Sequence, residues 1–190
     1  MSLKITVPQT QLLNENTLEI VVVPETKLVL EHSLISISKW ESIWHEAFLK
    51  DRETLGGEMT EEMMLSYMQC MTINGEFDPK VYMCITQPQM TQIRSYLEDP
   101  MTGTTFKNDG PGYSGVGRIT TSEEIYYAMF KWQIPKECEK WHINRLMTLL
   151  RVFSEKENPR KMSQQEAAQD MYNRNMYRRA KAASKAAKRH

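Results

Sequence analysis

Between residues 28 and 48 the hydrophobic pattern changes its period. An alternating apolar run gives way to a stripe in which Trp40, Ile43, Trp44 and Ala47 fall at i, i+3, i+4 and i+7, so they share one helical face. Ser38-Lys39-Trp40-Glu41 reads as a capping box, which starts this helix near residues 36–38 and ends it before Gly56-Gly57. Upstream, residues 3–7 and 18–30 are rich in Ile, Val, Leu and Thr and are separated by Asn14-Glu15-Asn16. This predicts a hairpin or small sheet. Pro8 and Pro24 limit its pairing, because proline donates no ladder hydrogen bond.

Downstream the period is helical. Thr60 with Glu61 and Glu62 caps a helix whose stripe is Met64, Tyr67, Met68 and Met71. Short helices are expected around residues 80–84 and 88–98. Residues 99–119 hold Pro100, Pro111 and five glycines and read as a loop or a poorly packed hairpin. A second capping box, Thr121 to Glu124, opens a helix carrying Ile125, Ala128, Met129 and Trp132. Pro135 suits the first turn of another helix, which carries Ile143, Leu146, Met147 and Leu150 and stops at Asn158-Pro159. A third box, Ser163 to Glu166, precedes a segment rich in the strong helix formers Ala, Lys, Arg and Gln.

These elements predict a mainly α fold with a small N-terminal β hairpin or sheet, an α+β class. Residues 1–32 form the β element, residues 33–159 a compact helical domain, and residues 160–190 a basic helical C-terminal arm. A length of 190 residues suits one domain plus an appendage. All four tryptophans lie on or beside helical stripes, which predicts that Trp40, Trp44, Trp132 and Trp141 are mostly buried.

Charge changes the picture. The chain is neutral overall, but residues 160–190 hold nine Lys/Arg against two Asp/Glu, a net +7, and residues 1–159 hold 15 against 22, a net −7. An acidic body with a basic arm points to an interaction tail. No apolar run approaches the roughly 20 residues a membrane helix needs, and residues 1–8 lack a signal peptide's apolar region. No membrane association is expected, and the chain should stay in the cytoplasm where it is made. Three widely spaced cysteines, Cys70, Cys84 and Cys138, fit a reducing compartment and core packing.

Candidate chemistry is thin. Gly110 to Gly115 satisfies G-x-G-x-x-G as a string, but neither a buried strand nor a helix N-terminus frames it, so it reads as a surface loop. Cys138 and His142 are four apart on an expected helix, whereas a closed zinc site needs four ligands. Glu61-Glu62 and Glu123-Glu124 lie in first turns, where capping explains them. His32 and His45 flank the first helix as surface or boundary residues. No catalytic residue, metal or cofactor is expected.

Binding is better supported. Fourteen methionines, with Met63, Met64, Met68 and Met71 on one helix, fit core filling first and an adaptable groove for another chain second. Met64, Met68 and Met71 are the partner-binding candidates there. In the arm, Tyr172 and Tyr177 interleave with Arg174, Arg178 and Arg179. These five are candidates for contact with a partner or a neighbouring copy's acidic body, ranked above nucleic acid, which the same stacking and charge could also serve.

Five blocks carry a resemblance: LEHSLISISKWESIWH at residues 30–45, YMQCMTI at 67–73, DPMTGTTF at 99–106, TSEEIYY at 121–127 and ECEKWHINRLMTLLRV at 137–152. Together they resemble the tail assembly chaperones of tailed bacteriophages, over about residues 25–165. The resemblance implies a non-enzymatic protein of the host bacterial cytoplasm. Such a protein binds the phage tape measure protein, helps recruit tail tube subunits, and is absent from the finished virion. The alternatives are a structural tail or connector component of the virion and a small nucleic-acid-binding phage protein acting through the arm.

Overall fold

The computed structural model describes residues 2–13, 19–50, 59–106, 120–157, 171–179 and 181. By internal contacts the chain divides into a unit Met1–Val152 and a unit Phe153–His190. The fold is α+β and mainly helical, with two short antiparallel strand pairs at the N-terminus.

Strand β1 (Leu3–Val7) pairs with β4 (Thr26–Leu30), and β2 (Thr10–Leu13) pairs with β3 (Ile20–Val23). Leu3 lies opposite Leu30, Val7 opposite Thr26 and Thr10 opposite Val23. The register is therefore unchanged across the gap. This is one long hairpin, interrupted where Pro8 and Pro24 remove ladder donors. Strand β2 lies outside the expected strand segments. Its polar Thr10 and Gln11 mask the alternation. On β1 and β4, Ile5, Val7, Leu28 and Leu30 are buried against the helices. The free edge of β4 is covered by residues 71–74. There Glu31 N–H donates to the Met71 carbonyl and Ile73 N–H to the Val29 carbonyl. Asn74 then extends the pairing through its side chain, accepting from Val29 N–H and donating to the Lys27 carbonyl.

Helix α1 spans Leu34–Trp44 and starts after Ser33, earlier than the capping box at residues 38–41 suggests. Ser33 makes no side-chain cap; the Ile37 N–H bonds its carbonyl. Entry is fixed instead by tertiary contacts, since residues 32–33 bridge to residues 142–143. The buried face is Leu34, Ile37, Trp40 and Glu41, not the face centred on Ile43, which is exposed. Ala47 lies beyond the helix, which ends at His45 in the left-handed region (φ 53°), its N–H bonded to the Glu41 carbonyl.

Helix α2 (Glu61–Met71) is capped by the Thr60 side chain, and Glu61 and Glu62 occupy its first turn. Helices α3 (Pro79–Met83) and α4 (Gln87–Glu98) follow, the latter opened by a Thr86–Gln89 capping box. The Gln89 amide also donates to the Thr6 carbonyl, which joins α4 to β1. Helix α5 (Ser122–Lys131) is capped by Thr121 and buries Ile125 and Met129. The single helix expected from Pro135 to Asn158 is in fact two. A 3-10 turn, η1 (Lys136–Lys140), is separated from α6 (Ile143–Glu157) by an extended Trp141. The break lets His142 enter the core, and Ile143 N–H donates to the His32 carbonyl.

Of the tryptophans only Trp40 is fully buried; Trp44, Trp132 and Trp141 are half-buried. No helix among the described residues is long and apolar enough to cross a membrane. In the unit Phe153–His190, residues 171–179 and 181 are helical, and the described side chains from 171 to 179 are all exposed. The Gly110–Gly115 string and the Ser163–Glu166 box lie outside the described residues.

Candidate functional site

The polar centre of the unit Met1–Val152 is a buried histidine pair. His32, between β4 and α1, and His142, between η1 and α6, meet edge to face with ring centroids 4.9 Å apart. Both are buried, which corrects the expectation of a surface or boundary place for His32. His142 Nε2 donates to the Tyr96 carbonyl at 2.9 Å, and its Nδ1 accepts from Asn144 N–H at 3.3 Å. Both ring nitrogens are thus engaged in the neutral form. His32 Nδ1 is hydrogen-bonded to the Tyr67 hydroxyl, and His32 N–H donates to the Tyr96 hydroxyl. Burial pushes the Tyr67 phenol well above its ordinary value, so it stays protonated. Burial, reinforced by His142, lowers His32 from 6.5 to about 3. Burial also lowers His142, with its bond to the Tyr96 carbonyl opposing.

This cluster does not resemble a reaction centre. His32 is held neutral well below the pH at which a general base operates, His142 is shifted in the same direction, and aromatic rings close around them. Phe48 packs on Tyr67 at 4.1 Å and on Trp40 at 5.2 Å. Cys138 and His142 do not share a helix face, because the η1–α6 break lies between them. Burial raises the Cys70 and Cys138 thiols, the direction opposite to that of an activated nucleophile. No group of three or more potential metal ligands occurs among the described residues.

Glu41 is the second buried polar element. It is not an N-terminal cap of α1. Its Oε1 accepts from Phe48 N–H at 2.9 Å and its Oε2 from Ser122 N–H at 2.8 Å. The carboxylate thus sits at the N-terminus of α5, where orphan N–H groups and the helix dipole favour an anion, and it also fixes the loop after α1. Glu41→Ala should cost about 2–4 kcal/mol in urea denaturation, because two backbone donors lose their acceptor. Glu41→Gln, which keeps one carbonyl oxygen, should cost less. Equal stability of Glu41→Ala and the wild type would show that the bridge is dispensable.

The structure separates the partner-binding candidates. Met68 and Met71 are 2% and 0% exposed and belong to the core. They cannot line a groove for another chain, while Met64 is half-buried. Tyr172, Arg174, Tyr177, Arg178 and Arg179 are exposed on one helical segment. Two apolar surfaces fall outside these candidates. Leu13, Ile20 and Val22 project from the outer face of β2–β3, and Tyr127 and Phe130 from the outer face of α5. The signal for the second was available: Tyr127 and Phe130 are three apart and off the Ile125–Met129 stripe.

No family model, curated protein or solved structure matches the chain.

Proposed function

We propose that this chain is a tail assembly chaperone of the tailed-phage type, acting in the host cytoplasm and without catalysis on the tape measure protein. The reading rests on the resemblance of the five blocks, and one observation supports treating them as a set. They pack against one another. Residues 30–45 meet residues 67–73 through His32 and Tyr67, residues 137–152 through His32 and His142, and residues 121–127 through Glu41 and Ser122. Residues 137–152 meet residues 99–106 where the Asn144 amide donates to the Asp99 carbonyl and the Arg151 guanidinium lies 3.7 Å over the Phe106 ring. The contacts between blocks make them chiefly a framework, so a surface for the tape measure protein is sought outside them.

The outer face of β2–β3 suits that role. Leu13 pairs with Ile20, Val22 is their exposed neighbour, and among the described residues no further strand joins either outer edge of the pair. A two-stranded hairpin is marginal alone, and an uncovered apolar strand invites association. A tape measure protein with apolar helical stripes would cover it, and tail tube subunits would join such a complex.

Co-expression with the tape measure protein and pull-down tests the reading. Leu13→Ser/Ile20→Ser should leave the melting temperature nearly unchanged, since exposed substitutions shift stability by about 0.5 kcal/mol or less, yet abolish co-purification. Deletion of residues 163–190 should leave the body folded and weaken assembly. Recovery of the chain at stoichiometric level in purified particles would favour a structural virion component. Salt-sensitive DNA binding that needs residues 160–190 would favour the nucleic-acid reading.

A further inference from the structure

Helix α5 buries one face and leaves the other uncovered. Tyr127 and Phe130 are 70% and 73% exposed. Helical spacing places Glu123 on their face, with Glu124 at its flank. Lys131, at the far end, lies 5.4 Å from the Trp132 ring. Two carboxylates therefore adjoin an aromatic step. Beside the first turn of α5 an open groove of about 290 Å³ is lined by Glu46, Thr121 and Glu123 among others.

The chemistry that fits such a face is an arginine-bearing helix. Guanidinium groups stack on aromatic rings and also pair with carboxylates, which an ammonium does less well. The body already uses the first contact twice, with Arg145 4.2 Å over Trp141 and Arg151 3.7 Å over Phe106. The chain itself supplies such a helix. Residues 171–179 are helical and exposed and include Arg178 and Arg179 between tyrosines and Lys181. The +7 of residues 160–190 matches the −7 of residues 1–159. A second copy carries the same acidic body and basic arm, so each copy presents its arm to the body of the other.

We propose that the Glu123–Tyr127–Phe130 face of α5 receives the basic helix around Arg178 from a second copy of this chain. Charge brings the helix to the face, and the two uncovered rings retain it. The contact concerns self-association and stands independently of the chaperone reading.

Sedimentation velocity on the full chain tests it. At about 0.05 M salt the protein should form dimers or larger species, and at about 0.5 M, where exposed charges are screened within a few ångströms, it should dissociate. Tyr127→Ser/Phe130→Ser should weaken association about tenfold or more, and Glu123→Lys/Glu124→Lys should do the same. Arg178→Glu/Arg179→Glu should also be monomeric alone. Mixing it with Glu123→Lys/Glu124→Lys should restore association, because each reversed surface then meets its complement. If lysines in the first turn unfold α5, the serine variant carries the test, since its substitutions lie beyond that turn. A wild type that is monomeric at low salt, a serine variant that associates as the wild type does, or folded charge variants that fail to associate when mixed would each overturn the proposal.

Discussion

Trp40→Ala should lower the stability of the body by about 3–5 kcal/mol, the range for truncating a fully buried large aromatic. The side chain is 0% exposed, and its Nε1–H donates to the Met63 carbonyl at 3.0 Å. Its ring lies 6.1 Å from Trp44 and meets Phe48 edge-on. Removal therefore opens a cavity between α1 and α2 and leaves a partly buried carbonyl without this donor. Against a typical stability of about 5–15 kcal/mol, this is a large fraction. Trp44 provides the internal control. It is half-buried, with its Nε1–H on the Ser66 hydroxyl, so Trp44→Ala should lose distinctly less. Urea denaturation followed by far-UV circular dichroism separates the two. Equal losses, or a Trp40→Ala loss below about 1 kcal/mol, would mean that α1 packs otherwise than described.

The contrast between these tryptophans shows what the sequence could and could not specify. Helices α2 to α5 were legible because their starts are written locally. Thr60, Asp78-Pro79, the Thr86–Gln89 pair and Thr121 each place a cap or a proline where the helix begins. Helix α1 has no such local signal at Ser33. Its start is imposed by contact with residues 142–143, far away in sequence. The expected stripe Trp40, Ile43, Trp44 and Ala47 misplaces the buried face, since Leu34 lies upstream of the expected start and Ile43 is exposed. The break at Trp141 was hidden for the same reason, since its cause is the pull of His142 under His32.

The binding surface was less legible than the fold. A methionine stripe at helical spacing is the same signal whether it faces a core or a partner. Met68 and Met71 face the core because α2 is covered by both α1 and the β4 edge. The uncovered aromatic pair on α5 could be noticed only by asking which face remains once Ile125 and Met129 are assigned inward. The histidine pair had no signal at all. Residues 32 and 142 are brought together by two chain breaks that their neighbours do not announce.

That pair makes stability depend on pH in a definite direction. His32 titrates at 6.5 when unfolded and at about 3 in the folded chain. Below 6.5 the unfolded chain therefore binds a proton that the native state refuses. Its stabilising effect is complete above about pH 7 and is lost as pH falls through 6.5 towards 3, where the native state protonates too. Within that window the loss is about 1.4 kcal/mol per pH unit for one such group, or roughly 2 kcal/mol by pH 5. His142 is shifted the same way and adds to it. The physical cause is geometric as well as dielectric. A second proton on His142 Nδ1 would point at Asn144 N–H, and a charge on either ring would face the other at 4.9 Å. Urea midpoints at pH 7, 6 and 5 measure the slope, before most carboxylates titrate. The quantity compared is the slope rather than the absolute stability, because replacing a buried side chain destabilises by itself. His32→Gln should flatten the slope by about one proton, and His32→Gln/His142→Gln should flatten it further. A wild type whose stability is constant from pH 7 to 5, or variants that keep the full slope, would show that these imidazoles are charged or solvated in the native state.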